Sequence, residues 1–94
     1  MITMLISGGN YFSLVLESEV ESVEATLTAV QATNSMELHL THLIEGRWLN
    51  RIMAQFAEYQ LRGGLWLMGL STEEIAVWIK SGSLPMPQQG RGQP

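Results

Sequence analysis

Apolar residues recur along the first two thirds of this chain in two long stripes separated by short polar clusters. Phe12, Leu16, Val20, Val23, Leu27 and Val30 follow one another at steps of four, four, three, four and three. That spacing aligns side chains on one face of a helix. It predicts a helix over residues 10–32, with Asn10 as its N-cap. Met36, Leu40, Ile44, Trp48, Ile52 and Phe56 then step by four, with Leu43, Met53 and Tyr59 widening the stripe. They predict a second helix over 35–62, opened by an Asn34/Glu37 capping box and stopped at Gly63-Gly64. Further on, Ser71 and Glu74 form a Ser-x-x-Glu box and Gly82 supplies a C-cap, which brackets a short helix over 72–81. These elements predict a mainly α fold. An antiparallel helical hairpin of 10–32 and 35–62 would be closed by the short C-terminal helix.

The same residues carry a second pattern. Gly8-Gly9 lies between two apolar runs and suits the tight turn of a β-hairpin. Val23, Ala25, Leu27 and Ala29 alternate with polar neighbours, as do Met36, Leu38 and Leu40, with "QATNS" between them as a turn. The alternative is an α+β fold, an N-terminal antiparallel β-meander (2–44) followed by two helices. Gly46 would then mark the change from sheet to helix. In both readings residues 1–84 form a single small domain, and "PMPQQGRGQP" is a disordered tail over 85–94, because it offers little to bury.

Composition changes the picture at the surface. The chain has 94 residues, 46% of them hydrophobic and only 15% charged, against a usual charged share of about 25%. So small a domain has much surface and few charges to cover it, so an exposed apolar interaction site is expected. Charge is also divided unevenly. Residues 1–46 hold six glutamates and no Lys or Arg, while residues 47–94 hold five basic residues against three glutamates. That division favours packing of the two halves, within a chain or between chains. A helical hairpin has a one-sided core, so the Leu40, Ile44, Trp48, Ile52 and Phe56 stripe is expected to close a homodimer as a four-helix bundle. Trp66, Met68, Ile75, Trp78 and Ile79 are the expected contacts to a protein partner, since Trp and Met anchor well in grooves. An acidic rim would orient that partner.

Several chemistries find little support. There is no cysteine, and hence no disulfide or thiolate chemistry. No Gly-rich phosphate loop, Gly-x-Ser-x-Gly elbow or aspartate is present. The first basic residue is Arg47, which argues against a secretory leader, and no apolar run is long enough for a membrane span. A cytoplasmic, non-enzymatic protein without metal or cofactor is expected. His39, His42 and Glu45 would share one face of a helix and converge on a metal, but they make one incomplete ligand set. "STEEIA" resembles the opening helix of bacterial helix-turn-helix modules, and "WIKSGSLPMP" resembles the end of the recognition helix of excisionase-type or AlpA-type DNA-binding proteins. That resemblance, over residues 71–87, implies a small DNA-binding regulator. It departs from those families because both halves fall on one helix, with no room for the turn. The helix also offers Lys80 alone to phosphates while Glu73 and Glu74 stand at its start. The expected function is therefore a protein-protein interaction module of adaptor, chaperone-like or inhibitor type, with DNA binding as the alternative.

Overall fold

In the computed structural model, which describes residues 1–82, the chain is α+β rather than mainly α. Strand β1 (Ile2–Gly8) turns through Gly9, at φ +62°, into β2 (Phe12–Ser18). Glycine adopts that left-handed conformation with the least strain, so Gly9 suits the hairpin turn. A 3-10 turn (Val20–Ser22) leads to helix α1 (Val23–Ala32), and β3 (Leu38–Glu45) follows it. Helix α2 (Trp48–Gln55), a 3-10 turn (Ala57–Tyr59), strand β4 (Trp66–Met68) and helix α3 (Thr72–Gly82) complete the order. The four strands lie in the order β3-β1-β2-β4, and every pairing is antiparallel.

The helical hairpin is thus corrected on both arms. Residues 12–18 are strand, and only the second half of the 10–32 stripe, Val23, Leu27 and Val30, is helical. The 35–62 stripe splits likewise, with Leu40 and Ile44 on β3 and Trp48 and Ile52 on α2. The β-meander alternative comes closer, although residues 23–32 form a helix between β2 and β3. Helix 72–81 appears as α3. Its capping box is formed, with Ser71 N donating to Glu74 Oε1 at 2.9 Å and Glu74 N donating to Ser71 Oγ at 3.1 Å. Asn34, expected to open a helix, instead finishes α1 by donating through Nδ2 to the Val30 carbonyl at 2.8 Å. The tail expected over 85–94 lies outside the described residues.

Both faces of the sheet are apolar and each carries its own core. On one, Leu5, Val15 and Leu67 pack under α2 and α3 with Trp48, Ile52, Leu70 and Ile75. On the other, Met4, Ile6, Leu14 and Leu38 lie under α1. A strand covered on both sides needs no polar alternation, and this explains the continuous "SLVL" of β2. β3 carries a bulge. Its register with β1 shifts between Leu5 and Ile6, so Thr41 is the extra residue, and its hydroxyl donates to the Leu5 carbonyl at 3.0 Å. An inserted residue reverses the alternation beyond it. Leu40 therefore packs with the Met4 core and Ile44 with the Leu5 core, on opposite faces of the sheet. The Leu40–Phe56 stripe is not one surface and cannot close a four-helix bundle. Among the described residues, no helix is long and apolar enough to cross a membrane.

Candidate functional site

The register sets out the α1-covered face as rows running across the strands. Leu38, Gly8, Phe12 and Met68 form the row at the hairpin end, and Leu40, Ile6, Leu14 and Trp66 form the next. Over these apolar rows the fold lays one ten-residue helix, while the opposite face has two. α1 reaches the sheet with Val23, Leu27 and Val30, all only half-buried. The centre of the face is closed, but its corner at β4 is open. There Tyr11 is 58% and Met68 40% exposed, beside the half-buried Phe12 and Trp66.

The corner has its own internal order. Tyr11 meets Phe12 edge to face at 5.5 Å between ring centroids, and Phe12 meets Trp66 in the same way at 6.3 Å. The Tyr11 carbonyl accepts from Gly69 N at 2.7 Å, which ties the hairpin tip to the end of β4. Gly8 lets the ring of Trp66 and the thioether of Met36 approach the backbone; a Cβ there would lie 3.1 Å from the ring and 3.2 Å from the sulfur. Preorganised aromatic edges beside flexible thioethers suit an apolar partner segment.

The five expected partner contacts are divided between the two faces of the sheet, with Trp66 and Met68 at the corner. Ile75 belongs to the core on the opposite face, and Trp78 and Ile79 pack against it half-buried. Ile75 is 0% exposed and unavailable to a partner. Phe12 and Tyr11 complete the corner, although the sequence pattern placed Phe12 on a helix. The signal that locates them is the Gly8-Gly9 turn, which puts Tyr11 in the hairpin loop and Phe12 at the start of the returning strand.

A second surface lies on the α2/α3 layer. Trp48 is met edge to face by Trp78 at 5.8 Å, and Trp78 by Phe56 at 5.3 Å. Beside them a groove of about 390 Å³ is lined by Trp48, Arg51, Ala54, Gln55 and Trp78. The guanidinium groups of Arg47 and Arg51 sit 5.3 and 5.4 Å from the Trp48 ring, close enough for cation–π attraction. Arg47 also donates through Nε to Glu45 at 2.8 Å. Arg51 makes no ion pair among the described residues.

The other expected chemistries are not assembled. His39, His42 and Glu45 lie on a strand, not a helix. Their partners are separate: Glu37 at 3.7 Å from His39, Glu73 at 4.0 Å from His42, and Arg47 for Glu45. Among the described residues, no group of three His, Cys, Asp or Glu is placed to hold a metal. Thr41, His42 and Glu73 fall in line like a nucleophile, base and acid, with His42 Nδ1 3.0 Å from Thr41 Oγ1. Because the Thr41 hydroxyl donates to the Leu5 carbonyl, the histidine nitrogen is its donor. That is the reverse of what general-base activation requires. The element before α3 is strand β4, so α3 does not directly follow a helix as the second helix of a helix-turn-helix does. Comparisons with protein-family models, curated proteins and solved structures give no match.

Proposed function

We propose that this chain is a non-enzymatic protein-protein interaction module, an adaptor, chaperone-like or inhibitor protein of the cytoplasm that self-associates and docks a protein partner. The observation that carries the reading is the open corner of Tyr11, Phe12, Trp66 and Met68, apolar surface that α1 leaves uncovered. Glu37, exposed just before β3 at the hairpin end of the sheet, would supply the acidic rim. Affinity would come from the aromatic and methionine side chains, and orientation from the rim.

The test is capture on immobilised wild type and on Met68→Glu, washed at low and high salt. Burying a carboxylate where the thioether sat is expected to weaken an apolar dock at least tenfold, or about 1.4 kcal/mol. A stoichiometric protein that survives high salt on wild type and is lost on Met68→Glu supports the reading. Equal capture by both, or nucleic acid that washes away with salt, would overturn it.

A further inference from the structure

Among the described residues the uneven charge of the two halves is only partly paired, with Arg47 taking Glu45. Glu17, Glu19, Glu21 and Glu24 form no ion pair with any described residue, and neither does Arg51. These groups are open to a second molecule.

Strand register places the unused groups at one end of the sheet. Ile2 is paired with Ser18 on one side and Glu45 on the other. Just past Ser18 comes the turn Glu19-Val20-Glu21, and just past Glu45 come Arg47, Trp48 and the groove that Arg51 borders. Both clusters thus flank Met1. Val20 and Met1, at 68% and 67%, are also the two most exposed large apolar side chains among the described residues. Neither is explained by the chain's own core. One end of the sheet thus combines an apolar knob between two carboxylates with an aromatic groove beside a stacked, unpaired guanidinium. The opposite end holds the Phe12–Met68 corner.

We propose that the occupant of the groove is a second copy of this chain. In a two-fold dimer the Glu19-Val20-Glu21 turn of each copy seats on the Trp48–Arg51–Trp78 groove of the other. Each contact then joins opposite charges, and two-fold symmetry makes it twice. Val20 is covered by the groove, and the planar fork of Arg51, held over Trp48, meets a carboxylate. This deepens the self-association part of the proposed function and rests on it. The partner-docking corner lies at the other end of the sheet and is independent of it.

Sedimentation equilibrium of the full chain tests the dimer through paired charge reversals, all at exposed side chains. Wild type is expected to be a dimer. Arg51→Glu alone, and Glu19→Arg with Glu21→Arg alone, are each expected to weaken dimerisation by about 100-fold or more, because like charges then face each other. An equimolar mixture of the two variants restores opposite charges at both contacts and is expected to give a one-to-one heterodimer. Val20→Ser, which changes no charge, is expected to weaken the wild-type dimer about tenfold through lost apolar burial. Circular dichroism on the same samples shows that each variant is folded. A monomeric wild type, a wild-type dimer unchanged by the reversals, or a mixture that stays monomeric would each overturn the proposal. None of these outcomes alters capture through Met68, so the dimer and the docking corner fail separately.

Discussion

Gln31 is the side chain whose removal tests the joint between α1 and β3 most sharply. Its Oε1 accepts from the Leu38 backbone N–H at 2.8 Å, and its Nε2 donates to the Met36 carbonyl at 2.9 Å and to the Asn34 carbonyl at 3.3 Å. One amide therefore satisfies the backbone of the loop that carries the chain from the end of α1 into the edge strand. Leu38 is only 7% exposed, so in Gln31→Ala its N–H has little access to water and bears most of the cost. Leaving such a group unpaired costs about 1–3 kcal/mol, and the two carbonyl contacts, nearer solvent, add roughly 0.5 kcal/mol each at most. The expected loss is about 2–3 kcal/mol. Gln31→Glu keeps an acceptor for Leu38 N–H but loses both donors and sets a carboxylate against two carbonyls. It should fall between wild type and Gln31→Ala. Urea unfolding followed by tryptophan fluorescence measures both variants, and an unchanged m-value would show that the unfolded reference is the same. Exchange of the Leu38 amide should accelerate in Gln31→Ala. A loss under about 0.5 kcal/mol, with Leu38 exchange unchanged, would refute this account of the joint.

Two further substitutions separate core from surface. Ile75→Ala opens a cavity in the α2/α3 core and is expected to cost about 2–5 kcal/mol in the same unfolding assay; a cost near zero would return Ile75 to a partner surface. Gly46→Ala places a Cβ 2.6 Å from the Met1 carbonyl oxygen, so β1 or the start of α2 must shift, for about 1–3 kcal/mol lost. Wild-type stability in Gly46→Ala would show that Met1 does not lie against that turn.

The sequence made some elements plain and hid others for identifiable reasons. The capping box at Ser71 and Glu74 is a local signal, and α3 formed where it pointed. A step of four, by contrast, belongs to the helical period and is also a multiple of two. Met36, Leu40 and Ile44 could not decide between helix and strand on that spacing. The bulge at Thr41 then sent Leu40 and Ile44 to opposite faces, which no periodicity reveals. β2 lacks alternation because cores lie on both sides of it. Its Phe12 and Leu16 join the later helix residues Val23, Leu27 and Val30 in a false continuous stripe, while Val20 between them is exposed. Trp66 and Met68 stood out as candidate contacts through their place in the apolar "GLWLMGL" run. Their separation from Trp78 was not legible, because it depends on β4 presenting Trp66 to one face while α3 packs on the other.

The most direct test of the docking corner is a methyl spectrum of the methionine-labelled chain with a soluble paramagnetic agent, alone and with the captured partner. The Met68 methyl should broaden strongly in the free protein while Met4, 0% exposed, stays sharp, and the partner should restore the Met68 signal. A complex in which Met68 stays open to the agent would contradict the assignment of this corner as the docking surface.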